Sequence, residues 1–258
     1  MRILLTNDDG INAPGLAALR GAVEGLGEAT TVAPDTERSG VAHSITVVQP
    51  LRIRRIFHGD RFFGYGINGA PADCVKLGCR EILGQPPDLL LSGINLGANA
   101  AINILYSGTV AAAIEGALLG IPSVAFSLAD IDQPDFEAAA RIVREVLDRV
   151  LEDGLPPRTL LNVNIPGVPR SQIRGIRVTR QSRTQYNDAY EKRIDPAGHS
   201  YYWITGDMTR DFEQEADSDL RALKDGYVSV TPLQYDLTNY GAIPALRARL
   251  AADWAGGR

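Results

Sequence analysis

The chain has 258 residues, 45% of them hydrophobic and 22% charged, proportions of a folded globular domain that exclude wholesale disorder and a fibrous architecture. Its 26 Lys and Arg against 31 Asp and Glu leave a formal charge of -5 with no dense basic run, which excludes dedicated nucleic-acid binding but not small phosphorylated substrates. Cys74 and Cys79, without a second Cys/His pair to complete a zinc site, read as core thiols of a reducing compartment; a cytoplasmic location is expected, and neither a signal peptide nor a membrane-spanning run is visible.

The first 130 residues alternate short apolar runs with helical patterns, which predicts an α/β fold: a Rossmann-like, mostly parallel sheet with helices on both faces. Arg2–Thr6 is the first predicted strand, followed by a helix over Pro14–Leu26 and a strand over Ala29–Ala33. Ser44–Gly64 reads as extended chain. A helix over Ala72–Leu83, a strand over Asp88–Ser92 and a helix over Val110–Leu119 come next, the last stopping at Gly120 where a C-cap glycine belongs. Pro122–Ser127 is a further strand. Apolar residues at helical spacing (Ala139, Ile142, Val143, Val146, Leu147, Val150) predict a helix over Phe136–Leu151, and Thr159–Ile165 returns as a strand.

The α/β core is therefore drawn over residues 1–180, and residues 181–258 are read as a C-terminal extension of the same domain. In it, Asp195-Pro196-Ala197-Gly198 turns a hairpin between Tyr186–Ile194 and His199–Thr205. A short helix at Asp217–Lys224, a strand at Tyr227–Thr231 and a final helix near Ile243–Ala252 follow.

Ligands of an open α/β sheet bind outside the carboxyl ends of its strands, so the residues after each strand carry the functional signal. After the first strand stand Asp8 and Asp9. Two adjacent carboxylates repel each other at the end of a buried strand unless a cation neutralises them, and a hard divalent ion such as magnesium or manganese is the natural partner. Ser39 and Asn95, at neighbouring strand ends, add neutral oxygens. A tight Asp-Gly turn is the rival reading; it explains Gly10 but not the pair of acids. Ser107-Gly108-Thr109 opens a helix, where free amides and hydroxyls suit a phosphate, although an ordinary Ser/Thr cap reads the same way. A cation pole and an anion pole on one sheet edge together describe phosphoryl chemistry.

These residues resemble the SurE family of survival-protein nucleotidases. The resemblance rests on Leu5-Thr6-Asn7-Asp8-Asp9-Gly10, Ala13-Pro14-Gly15, Ser39-Gly40 with Ser44-Ile45-Thr46, and Ala70-Pro71-Ala72-Asp73-Cys74-Val75. It continues through Ser92-Gly93-Ile94-Asn95 with Gly97 and Asn99, Tyr106-Ser107-Gly108-Thr109-Val110, and Ser229-Val230-Thr231-Pro232-Leu233, so it spans nearly the whole chain. Ala70 departs from it, since the family usually carries Thr there. The resemblance implies one divalent metal ion held by Asp8, Asp9, Ser39 and Asn95, with Asp8 and Asp9 also catalytic. It implies a phosphate surrounded by Asn99, Ser107, Gly108 and Thr109. It further implies hydrolysis of nucleoside 5'- and 3'-monophosphates, with short polyphosphate as an additional candidate, and a homodimer or homotetramer assembled by exchange of C-terminal segments.

Other residues read as structural. His43, His58 and His199 are scattered and form no metal triad; Tyr201, Tyr202 and Trp203 read as packing against a partner subunit; Asp73 reads as a cap for the helix after Pro71. Two alternatives stay open at this stage: attack by water against attack by Asp8 to give an aspartyl-phosphate, and hydrolysis against a non-catalytic nucleotide- or magnesium-binding regulatory module.

Overall fold

Successive apolar side chains in Arg2–Thr6 (β1) are buried on both sides of the strand: Ile3 and Leu5 join one hydrophobic cluster and Leu4 another. Only a strand covered by helices on both faces can bury such a run. The computed structural model describes residues 1–184, 186–208 and 215–251, and in it β1 lies inside a sheet of nine strands.

From β1 the chain passes through α1 (Pro14–Ala22) to β2 (Glu28–Pro34), then β3 (Ile53–His58) and β4 (Arg61–Ile67). It continues through α2 (Pro71–Leu77), β5 (Leu89–Leu96), α3 (Gly108–Leu118), β6 (Ser123–Leu128), α4 (Phe136–Asp153) and β7 (Leu160–Ile165). After β8 (Ile176–Val178) come the hairpin strands β9 (Tyr186–Ile194) and β10 (Ser200–Met208), α5 (Asp219–Lys224), β11 (Val228–Leu233) and α6 (Ile243–Ala251). The strand order is β3-β4-β2-β1-β5-β6-β7-β11-β8; the six neighbours from β4 across to β7 are mutually parallel, β3 is antiparallel to β4 and β11 antiparallel to β7. The sheet is thus mostly parallel with mixed edges, and β9 and β10 pair antiparallel with each other. The tail strand β11 is an integral strand of the large sheet, between β7 and β8.

Helices α1 and α4 cover one face. The stripe Ala139, Ile142, Val143, Val146, Leu147 and Val150 of α4 is buried there, each larger side chain contributing about 1.5–3 kcal/mol. Helices α2 and α3 cover the other face, and there the sheet changes character towards the carboxyl ends of its strands. Thr6, Ser92, Ser127, Asn162, Asn164, Ser229 and Thr231 are all buried polar residues of the sheet. Buried polar groups need partners, so this end of the sheet is where a site is built.

Two segments differ from expectation. The extended stretch 44–64 contains β3 and the start of an antiparallel pair with β4. The helix expected over 72–83 is α-helical to Leu77 and continues as a π-helical turn over Gly78–Ile82. Asp73 caps as expected, its Oδ2 accepting from the Ala70 amide at 2.9 Å. Cys74 and Cys79 are buried and unbridged, and burial pushes the Cys79 thiol up to about 11. Among the described residues no helix is long and apolar enough to cross a membrane.

Candidate active site

After β1 the chain turns sharply. Asn7 Nδ2 donates to the Gly10 carbonyl at 3.0 Å, and Gly10 sits at φ +101°, which favours glycine. The turn sets Asp8 and Asp9 at the end of β1 beside β5, on the edge where the connections from the two strands run in opposite directions across the sheet. Such a switch point opens a crevice in α/β sheets. Here it is a cleft of about 240 Å³ lined by Asp8, Asp9, Ser39, Asn95, Asn99 and Ser107 among others.

The two carboxylates differ in their surroundings. Asp8 is 4% exposed and accepts a hydrogen bond from Thr109 Oγ1, with the Gly108 and Thr109 amides at the start of α3 also turned towards it. Burial raises its pKa, and these donors oppose the rise. Asp9 is more open; its Oδ2 accepts from the Leu96 amide at 3.2 Å. Burial, then the neighbouring Asp8 charge, push Asp9 up to about 6. A pair of acids held this way binds a proton or a cation more readily than isolated carboxylates do.

Neutral oxygens surround the pair. Asn95 Nδ2 donates to the Gly97 carbonyl at 2.7 Å, so the amide oxygen is the atom it offers, 3.5 Å from Thr109 Oγ1. The Ser39 hydroxyl donates to Glu37 at 2.6 Å on an exposed loop that is tied back by Arg38 N to the Asp8 carbonyl at 2.7 Å. Among the described residues no group of three His, Cys, Asp or Glu could hold a metal ion, so an ion in this cleft relies on two carboxylates and neutral oxygens. That donor set suits a hard cation that keeps several waters.

The residues expected around a phosphate divide into two groups. Asn99 and Ser107 line the cleft, and Ser107 caps α3 by accepting from the Val110 amide at 3.1 Å. Thr109 is fully buried and, with Gly108, faces Asp8, whereas the sequence placed its hydroxyl towards the phosphate. The cause is the close approach of α3 to β1: a Cβ on Gly108 would lie 2.8 Å from Asp8 Cβ, leaving no space for a ligand between them. The helix N-terminus, attractive to anions, is therefore directed at the protein's own carboxylate.

A family model described as survival protein SurE matches residues 3–188 of the chain. The chain belongs to the SurE family. A relative named 5'-nucleotidase SurE from Syntrophobacter fumaroxidans is 47% identical, covering 95% of this chain and 98% of the relative. One of the same name from Heliobacterium modesticaldum is 45% identical, over 100% of this chain and 93% of its own length. The crystal structure of the SurE protein from Aquifex aeolicus superposes with a TM-score of 0.83 at 44% identity, covering 96% of this chain and 99% of that one.

Around the SurE motifs stand residues that sequence reasoning did not single out. Asn162 and Asn164 of β7, and Ser127 of β6, hold the loop that carries Asn99. Their signal was two asparagines at alternate positions of an otherwise apolar strand, a costly arrangement without partners. His43 bonds Glu115 of α3 at 2.9 Å, and Lys76 bonds the same carboxylate at 2.6 Å. Burial would raise Glu115, but the bonds to His43 and Lys76 outweigh it and hold the carboxyl below its usual range. With Ala42 N on the Tyr106 carbonyl at 3.0 Å, the His43–Glu115 contact docks the 40–43 loop onto α3 and the turn before it. His58 stacks on Phe63 at 4.1 Å and has no place in the cleft.

Proposed function

We propose that the cleft between β1 and β5 hydrolyses nucleoside monophosphates with one divalent cation, magnesium or manganese, held by Asp8, Asp9, Ser39 and Asn95. That the chain is a 5'-nucleotidase rests on its family and on the name shared by relatives that cover nearly all of it. The observation that carries the cation is the pair of adjacent carboxylates, both raised in pKa by burial and one also by the other's charge. Such a cation, when bound, neutralises phosphoryl charge and lowers the pKa of a water beside it.

The chain's own residues divide the remaining work. Asp8, backed by the Thr109 hydroxyl, is a fixed anchor. Asp9 is the more open of the two and lines the cleft, so its carboxylate is the one placed to orient the attacking water. Asp8 is less suited to that task, because its carboxylate is already engaged by donors. Asn99 and Ser107 bind the phosphoryl oxygens from the other wall, and Gly108 and Thr109 act through Asp8. The geometry favours water over Asp8 as nucleophile: at 4% exposed, with the start of α3 packed against it, Asp8 has little freedom for in-line attack.

Hydrolysis of 3'-monophosphates and short polyphosphate in the same cleft, and a cytoplasmic setting, belong to this reading. So does self-assembly through C-terminal segments, supported by a hairpin that leaves Tyr202, Trp203 and Ile204 exposed at 59%, 57% and 66%. Phosphate release from nucleoside 5'- and 3'-monophosphates with added magnesium or manganese tests the activity. No release with any divalent cation would favour the regulatory nucleotide-binding module. Rapid quenching with labelled substrate tests the nucleophile: a phosphoryl adduct on Asp8 would overturn attack by water.

A further inference from the structure

Asn162 is a poor residue for its position in structural terms alone. It lies inside β7, fully buried, where a β-branched apolar residue fits a strand best. Its Oδ1 is buried with no hydrogen-bond partner among the described residues. An unpaired buried carbonyl costs stability, so the residue's presence calls for a gain elsewhere. The bond its side chain does make runs 63 positions back in the chain: Asn162 Nδ2 donates to the Asn99 carbonyl at 2.8 Å.

Asn164, two residues on and on the same face of the sheet, grips the same peptide from both sides. Its Nδ2 donates to the Asn99 carbonyl at 3.1 Å, and its Oδ1 accepts from the Asn99 amide at 2.8 Å. The Asn99 side chain donates to Ser127 Oγ at 2.9 Å, which sets its rotamer and leaves its second N–H for the cleft it lines. The far end of the loop is fixed as well. Ala101 has φ +52°, a strained conformation for a residue with a side chain; its amide donates to Asp219 at 2.9 Å and its carbonyl accepts from Gln181 at 2.8 Å. A short, strained loop is thus clasped by side chains from separate segments of the chain, all outside the motifs that line the cleft.

We propose that Asn162 and Asn164 are positioning residues that hold the Asn99 peptide so that its side-chain amide meets the substrate phosphoryl group. The inference rests on Asn99 being a phosphate contact. A side chain aimed by four hydrogen bonds loses little freedom on binding, whereas the same side chain on a loosened loop must be ordered by the substrate.

Three variants of the full-length protein test this: Asn162→Val, Asn164→Val and Asn99→Ala. For each, KM and kcat for a nucleoside 5'-monophosphate, the inhibition constant of inorganic phosphate, manganese affinity and melting temperature are measured. Asn162→Val is expected to raise KM and the phosphate inhibition constant about fivefold to tenfold, the equivalent of one net hydrogen bond. Its manganese affinity is expected to be unchanged and its melting temperature equal to or above that of the parent, because an unpaired carbonyl is removed. Asn164→Val, which also strips the partner from the Asn99 amide, is expected to have the larger effect on phosphate and a lower melting temperature. Unchanged phosphate inhibition in Asn162→Val, or a loss accompanied by weaker manganese binding and a lower melting temperature, would overturn the proposal. Asn99→Ala separates the two readings. If it leaves phosphate inhibition unchanged, Asn99 is not the phosphate contact and the clasp has no function to serve; if it weakens inhibition while Asn162→Val and Asn164→Val do not, the clasp alone is wrong.

Discussion

Thr109→Val keeps the branched shape of a fully buried side chain and deletes the hydroxyl that donates to Asp8. Water has no access to replace that donor, and a hydrogen bond to a charged group contributes about 1.5–3 kcal/mol. Burial raises the Asp8 carboxyl, and the Thr109 bond is the largest effect opposing the rise. Deleting it favours the protonated acid further. A cation competes with a proton for this carboxylate, so its apparent affinity should fall by about tenfold to a hundredfold, with part of the loss recovered at higher pH. Manganese titrations followed by calorimetry at mildly acidic and mildly alkaline pH, with turnover measured in parallel, read this directly. Unchanged manganese affinity at both pH values with a large fall in kcat would overturn this role and return the hydroxyl to the phosphate. Unchanged affinity and unchanged turnover would leave Thr109 a packing residue.

Gly108→Ala puts a Cβ 2.8 Å from Asp8 Cβ and 2.9 Å from its Oδ2, so the carboxylate must shift; a stability loss of about 1–3 kcal/mol and weaker manganese binding are expected in melts and titrations. Gly15→Ala brings a Cβ within 1.9 Å of the Ile94 carbonyl, a backbone atom in β5, and should cost about 3 kcal/mol or more in chemical denaturation. The folded Asp9 carboxyl, at about 6, lies above its ordinary 3.8, so folding favours the protonated acid and the metal-free protein should lose stability as pH rises across that window. Screening at this partly open site limits the loss to about 1–2 kcal/mol. Melts over the window with and without magnesium check the sign: stabilisation by the cation should grow as pH rises, and a metal-free melting temperature that is flat or rising would contradict it.

Much of this arrangement is legible in the chain because the strands that build it are short apolar runs bounded by turn residues. Burial on both faces is visible in Ile3-Leu4-Leu5 and in Leu89-Leu90-Leu91, and the switch-point rule then gathers Asp8, Asp9, Ser39 and Asn95 at one edge. Edge strands are harder to read. β3 combines arginines with Ile53 and Phe57, which are 43% and 48% exposed, and so has no buried face to impose a period on the sequence. β8 has three residues, too few to show one. The supporting contacts were invisible for a different reason. A Ser-Gly-Thr start marks the beginning of α3 correctly, but which way Thr109 turns depends on Asp8, 101 residues earlier, and the asparagines of β7 find their hydrogen-bond partner 63 and 65 residues away. Local propensity fixes where an element begins; only the packed sheet decides which side chains meet.

In the proposed reaction Asp8 and Asp9 together hold the cation on which hydrolysis depends. Phosphate release from a nucleoside 5'-monophosphate as a function of manganese concentration, for the parent protein and for Asp9→Asn, decides whether they do. The parent should be inactive with the cation chelated and regain turnover as manganese is added. Asp9→Asn, with the like-charge repulsion relieved and its fold intact by melting, should show little turnover at any manganese concentration. Turnover by the parent without a divalent cation, or a parent-like manganese response in Asp9→Asn, would mean that the two carboxylates do not hold a catalytic cation.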